Sequence, residues 1–173
     1  MKQINISNYT DLLNEIKEEC IQNPWKKVTK TGDPIKDYKS VLDNLTEEFK
    51  QKHENNSHVI LSSRTVYRRL SLIGKLETKL KQDLQCKGVI SSGIFLYKKG
   101  GYCDWHNDNR KYTSRLYFSF ASKDKESFFA TYDDKLKVDY DKKGWQYRTF
   151  NVPMWHCVGS NCNRFSLGFN IIE

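Results

Sequence analysis

Long apolar runs are missing from this sequence. The longest extend over only a few residues, such as VIL at 59–61, so no segment is expected to cross a membrane as a helix. The first residues, MKQINISNYTDLL, contain no apolar core of the secretory type, and no export signal is expected. A disulfide framework is also missing. The five cysteines, at 20, 86, 103, 157 and 162, are odd in number and irregularly spaced. That pattern fits reduced thiols in a cytoplasmic compartment. Cys157 and Cys162 have a spacing conceivable for zinc, but no second pair follows them. Internal repeats and low-complexity tracts are absent as well.

What is present is the composition of an ordinary globular chain. The 173 residues suit a single domain, 38% of them are hydrophobic and 29% are charged. The net charge of +8 is spread evenly over both halves rather than gathered in a tail. Such an excess favours acidic partners, but it is equally the mark of a solvated basic surface.

The two halves differ in texture. Residues 1–88 read as mainly helical support. In SNYTDLLNEIKEEC, Ser7 or Thr10 can cap a helix whose Leu12, Leu13, Ile16 and Cys20 share a face. Pro34 can open a second helix, carried by Ile35, Tyr38, Leu42, Leu45 and Phe49. A third pattern runs through Tyr67, Leu70, Ile73, Leu76, Leu80 and Leu84. Its polar face holds Arg64, Arg68, Arg69, Lys75, Lys79 and Lys81. That basic face could meet nucleic-acid phosphates, or simply water.

Residues 89–173 read as strands. VISSGIFLYKKG, SRLYFSFAS, SFFATYDD, WQYRTFNVP and RFSLGFNII are rich in aromatic and β-branched residues. Strands after a helical block predict an α+β layout, a sandwich or barrel with helices packed outside. Successive strand residues point to opposite faces. Phe165, Leu167, Phe169 and Ile171 therefore share one face, and Arg164, Ser166, Gly168 and Asn170 the other. Likewise Leu116, Phe118 and Phe120 oppose Arg115, Tyr117, Ser119 and Ala121. The second faces either meet solvent or line a barrel interior. Segments 121–127 and 133–144 join strands and could form a lid.

The stretch YCDWHNDNR places His106 and Asp108 two apart. On an extended backbone both point the same way and can hold adjacent positions on a metal; near a turn they could merely hydrogen-bond each other. His156 follows 50 residues later, and after a polar loop come Arg164 and Ser166. A hairpin there would bring Arg164 close to His156. Two histidines and one carboxylate make the facial ligand set of non-haem iron oxygenases. Arg164 is a fixed, planar cation suited to a carboxylate. Trp105 and Trp155 should point away from the metal into packing. Asn107 and Asn109 could touch substrate or shape turns. His53 and His58 read as surface residues. Arg110, Lys111 and Arg115 could meet an acidic substrate or guard a strand edge.

From about Gly93 to Ile172 the chain resembles the Fe(II)/2-oxoglutarate-dependent dioxygenases, particularly the prolyl-hydroxylase-like branch. FLYKKGGYCDWHNDN and WHCVGSNCNRFSLGFNI carry the likeness. The resemblance implies one oxygenase domain over 1–173, with a double-stranded β-helix (jelly-roll) at 89–173 and N-terminal helices packed on one sheet. It implies Fe(II) on His106, Asp108 and His156, and 2-oxoglutarate on Arg164 and Ser166. Tyr97 is implied near cosubstrate or substrate, and strand alternation adds Tyr117. It further implies O2 as oxidant, ascorbate as reductant, and hydroxylation of an amino-acid, peptidyl or small-molecule substrate. The interval from His156 to Arg164 is shorter than the family's usual one. Three alternatives stand beside this reading: an oxygenase acting on nucleic acid, a zinc site on the same ligands, and a binding module without chemistry.

Overall fold

The structure is a computed structural model and describes residues 3–23, 27–53, 60–108 and 114–173. Among these residues three α-helices and eleven strands follow in the order α1 (Thr10–Gln22), β1 (Lys27–Lys30), α2 (Glu47–His53), β2 (Ser62–Ser63), β3 (Thr65–Tyr67), α3 (Ser71–Leu84), β4 (Gly88–Tyr97), β5 (Gly101–Asn107), β6 (Ser114–Ala121), β7 (Ser127–Asp133), β8 (Lys135–Tyr140), β9 (Gly144–Asn151), β10 (Trp155–Ser160) and β11 (Arg164–Ile172). The strands form two antiparallel sheets, six-stranded β1-β3-β4-β11-β6-β9 and five-stranded β2-β5-β10-β7-β8. This is the double-stranded β-helix, and its two sheets enclose an interior. The first half is less helical than expected, because β1, β2 and β3 extend the two sheets.

The apolar stripes explain how the layers stack. Leu13, Ile16 and Cys20 of α1, with Ile73, Leu76, Leu80 and Leu84 of α3, bury against Leu116, Phe118, Phe165, Leu167, Phe169 and Ile171 on the six-stranded sheet. The outward faces of β6 and β11 thus pack on the helices, as alternation predicts. α1 is capped differently from the expectation. A 3-10 turn at Ile6–Asn8 precedes it, with Asn5 accepting from the Ser7 N–H, and neither Ser7 nor Thr10 is the cap residue.

The second predicted helix is broken. Tyr38–Asn44 is a 3-10 helix capped by Asp37, and α2 starts only at Glu47. Leu45 between them has φ −79° and ψ 76°, outside the helical region. The Thr46 hydroxyl then accepts from the Phe49 N–H, a local bond that starts a helix afresh. The apolar stripe still does its work, since Val41, Leu42, Leu45 and Phe49 pack on Trp105, Phe128 and Ala130 of the five-stranded sheet. Helical elements therefore cover both sheets, not one. The third helical pattern also starts late, because Tyr67 is on β3. Arg64 accordingly leaves the basic face of α3. Arg68 and Arg69 leave it too, since α3 begins at Ser71; Arg69 pairs with Glu77 of the helix, and Lys79 with Asp83.

Residues 133–144 are not a free lid. β8 within them pairs along β7 as the edge of the five-stranded sheet. No helix among the described residues is long and apolar enough to cross a membrane.

Leu76 is fully buried where α3 meets the sheet. Leu76→Ala should cost about 2–5 kcal/mol in urea unfolding, the usual range for a core leucine. A loss below about 1 kcal/mol would mean that α3 is not part of the core.

Candidate metal centre

β5 and β10 pair side by side, with His106 opposite His156. The register slips between this pair and Val158–Cys103. Two residues of β5, Asp104 and Trp105, face one of β10, which is a bulge. The bulge has a consequence for the site. Cys103 and His106, three apart, both face inward, with Sγ 3.8 Å from Nδ1. Asp104 and Trp105 both turn outward, to Asn44 and to the Val41 carbonyl. Trp155 likewise packs outward with Phe49.

His106, Asp108 and His156 converge. One ligand atom from each lies within 4.8 Å of the others. The His106 Nδ1 is 2.8 Å from the Asp104 carbonyl and the His156 Nδ1 is 2.9 Å from that of Met154. Each Nδ1–H can only donate there, which leaves each Nε2 lone pair for a metal. Burial first, and His106 second, hold the His156 pKa well below the ordinary imidazole value, so this ring is neutral at pH 7. The His106 pKa is raised: burial opposes the charged form, but Cys103 and Asp108 outweigh it. Asp108 Oδ1 accepts from Arg115 at 2.6 Å, while its Oδ2 is 3.6 Å from His156 Nε2. Asp108 Oδ2 and His156 Nε2 are both buried without a hydrogen-bond partner. Two orphaned acceptors facing each other are costly unless something positive sits between them. The donor set, two imidazoles and a carboxylate, fits a divalent iron or zinc ion.

A cavity of about 160 Å³ adjoins the triad, lined by Arg64, Tyr97, Cys103, Arg115, Tyr117 and Ser166 among others. The inner faces of β6 and β11 therefore line a barrel interior and not a solvated surface. Tyr117 is stacked on Phe150, 5.8 Å between ring centres, and Phe150 lies 5.0 Å from His156. Burial raises the pKa of both tyrosines, Tyr97 and Tyr117. A wider groove of about 650 Å³ lies beyond Phe129 and Phe150, which line it together with Thr131, Lys137, Asn151 and Met154.

Arg164 departs from the expected hairpin. β10 and β11 belong to different sheets, so Asn161–Asn163 crosses between them. Arg164 sits opposite Tyr97 and Ala121 in the six-stranded sheet, 1% exposed. Its Nε donates to Asp141 Oδ2 at 2.7 Å, and Arg148 takes the other oxygen at 2.7 Å. Its guanidinium lies 5.6 Å from the Tyr97 ring centre. Arg164 is not among the described residues lining the cavity, whereas Ser166, Tyr97 and Tyr117 are.

Arg115 is no edge charge, since β6 lies between β11 and β9 and Arg115 is buried. His53 is half-buried, stacked 4.2 Å from Phe49. Asn107 is on β5 with its Oδ1 buried and unpaired. His58, Asn109, Arg110 and Lys111 lie outside the described residues. Cys157 and Cys162 are buried free thiols. Arg64, Cys103 and Asp141 were not foreseen. The β-branched texture of SSRTVY could have flagged the extended segment that holds Arg64 between two short strands; the bulge and the Asp141 pairing left no local signal.

Asp141 is fully buried. Burial raises its pKa, yet Arg164 and Arg148 outweigh it and hold the carboxyl below the usual range. A depressed native pKa stabilises the fold above the unfolded value near 4, and that stability is lost as pH falls through the lower native value. Asp141→Asn leaves the Arg164 guanidinium without its carboxylate and Arg148 with Asp139 alone, and should cost about 3–5 kcal/mol at pH 7. The variant should also lose less stability than wild type between pH 5 and about 2. Equal urea midpoints for the two proteins at pH 7 would remove Asp141 from this role.

No family model and no curated protein matches the sequence. Solved structures do match. A prolyl-4-hydroxylase from Pseudomonas putida superposes with a TM-score of 0.57 at 12% identity, over 95% of this chain and 88% of that one. An oxidoreductase of the 2OG-Fe(II) oxygenase family from Burkholderia pseudomallei gives a TM-score of 0.55 at 11% identity, over 99% and 92%. At such identities the likeness is one of architecture: this chain has the double-stranded β-helix fold that those two oxygenases have.

Proposed function

We propose that the protein is a non-haem Fe(II) oxygenase that uses 2-oxoglutarate to hydroxylate a C–H bond of an amino-acid, peptidyl or small-molecule substrate. The observation that carries this reading is the convergence of three metal-ligand side chains, two with orphaned acceptor atoms, beside a small cation-lined cavity. The fold shared with two solved oxygenases supports it.

The chain's own residues have defined tasks. His106, Asp108 and His156 would hold the metal through the three converging ligand atoms. The two Nδ1 contacts to backbone carbonyls orient the imidazoles before metal arrives. Arg115 fixes the Asp108 carboxylate through its second oxygen. Bound Fe(II), with 2-oxoglutarate and O2, supplies the oxidising chemistry, and ascorbate serves as external reductant. The cavity, about 160 Å³, is below the roughly 300 Å³ at which pockets for larger ligands begin. It suits a small oxoacid, with Ser166 and Tyr97 as hydroxyl donors. Two guanidinium groups approach Tyr97, those of Arg64 and Arg164, and a dicarboxylic cosubstrate needs such a cation for its far end. Phe129 and Phe150 stand between the metal ligands and the groove and limit the access of water, and Phe129 lines both the small cavity and the groove, so the two adjoin there.

The substrate takes the wider groove. Its rim carries both signs, Lys135 and Lys137 with Asp133 and Asp139. Mixed charge suits an amino acid or peptide better than a polyanion, which calls for a uniformly basic surface. A nucleic-acid substrate would instead give strongly salt-dependent binding.

Anaerobic addition of Fe(II) and then 2-oxoglutarate should give the weak visible charge-transfer band of the chelate. His106→Ala and Asp108→Ala should abolish it. Tight zinc binding with no band in the wild-type protein would make this a zinc site instead. No metal binding at all would return the chain to a binding module.

A further inference from the structure

The two guanidinium groups near Tyr97 differ in what already neutralises them. Arg164 belongs to a closed cluster. Asp141 accepts from Arg164 and Arg148, and Arg148 also pairs with Asp139 at 2.6 Å, so two carboxylates face two cations. Ser127 and Gln146 donate to Asp141 as well. One Arg164 nitrogen, Nη1, has no partner, but the charge of the side chain is matched.

Arg64 has no such match. It lies between β2 and β3 and lines the cavity. Its Nη1 is 3.3 Å from the Tyr97 hydroxyl and 3.3 Å from Cys103 Sγ. Its guanidinium lies 4.2 Å from the Phe95 ring centre. Its Nε is buried without a partner, and among the described residues no carboxylate pairs with it. Cys103 in turn touches His106, the first metal ligand, at 3.8 Å. An uncompensated guanidinium thus stands one side chain away from the metal position. Enclosed in this way, it calls for an anion. The Tyr97 hydroxyl accepts from Arg64, so its own proton is free to be donated to that anion.

We infer that Arg64, with Tyr97 beside it, holds the far carboxylate of the oxoacid cosubstrate, and that Arg164 is a structural cation of the barrel. The inference rests on the oxygenase reading. It moves the anchor from the strand after the second histidine to the N-terminal segment. It also gives Arg64 a role in specificity: it selects a five-carbon dicarboxylic oxoacid over a monocarboxylic one of equal length.

The test is equilibrium binding to the Fe(II)-loaded protein under anaerobic conditions, read by calorimetry with 2-oxoglutarate and with 2-oxovalerate. Wild type should prefer 2-oxoglutarate. Arg64→Met should lose about 10–100-fold in 2-oxoglutarate affinity, the usual weight of a charge-assisted contact. Its 2-oxovalerate affinity should stay unchanged and its Fe(II) binding should be no weaker than that of wild type, which also reports that it is folded. Arg64→Lys should fall between the two. A full preference retained by Arg64→Met overturns the inference, and a preference lost in Arg164→Gln at the same time would hand the role to Arg164. Wild type that binds Fe(II) but neither oxoacid overturns the oxygenase reading and the inference with it.

Discussion

The two-residue period of β6 and β11 is the constraint on which the site depends. Both strands are central in the six-stranded sheet, so neither of their faces can be left to water. One face meets the helices and must be apolar; the other meets the opposite sheet. Leu116, Phe118, Leu167 and Phe169 take the first role, and Arg115, Tyr117, Ser166 and Gly168 the second. A slip of one residue would drive a guanidinium into the leucine core and phenyl rings into the cavity. Room is kept by the smallest residue: a Cβ on Gly168 would come 2.4 Å from Ser92 Oγ and 2.8 Å from the Tyr117 ring. The pocket is therefore a product of register, and the helices help define it from outside.

The five-stranded sheet solves a different problem, that of aiming. Strict alternation in β5 would send Cys103 and His106 to opposite faces. The bulge puts both inward and spends Asp104 and Trp105 on the outer layer, where Asn44 and Val41 receive them. The broken second helix is what brings Val41 and Asn44 to that place. The helix break, the bulge and the inward aim of His106 are thus parts of one arrangement.

Much of this was legible in the sequence, and the limits have physical causes. The strands of the second half and the opposed faces of β6 and β11 follow from local periods, which a chain displays openly, whereas His156 lies 50 residues from His106 and was joined to it through the ligand set and the family resemblance. His106 and Asp108 needed only an extended backbone to point together. The break at Leu45 was hidden because 3-10 and α-helical turns bury nearly the same stripe. Tyr67 mimicked a helical residue because, on β3, it packs against the same core as the stripe of α3. Which arginine keeps a free charge was hidden more deeply. The pairing of Arg164 with Asp141 spans 23 residues and that of Arg64 with Cys103 spans 39, and the β-bulge that sets Cys103 there carries no residue signature.

The charges around the cavity also tie its two ligands together on the proposed reading. Two guanidinium groups line it, Arg64 and Arg115, against one carboxylate, Asp108. That excess of one positive charge repels a divalent cation entering alone, and Asp108 must share itself between Arg115 and the metal. Once the metal is in place the cavity is more positive still, and a dianionic oxoacid offsets both added charges. Each ligand therefore removes the obstacle to the other, and linkage makes that help equal in both directions. The oxoacid should bind metal-free protein far more weakly than loaded protein, and the metal should be held more tightly in its presence by the same factor. Equal oxoacid affinity with and without metal, measured by calorimetry, would mean that the cavity's anion and the triad act as separate sites.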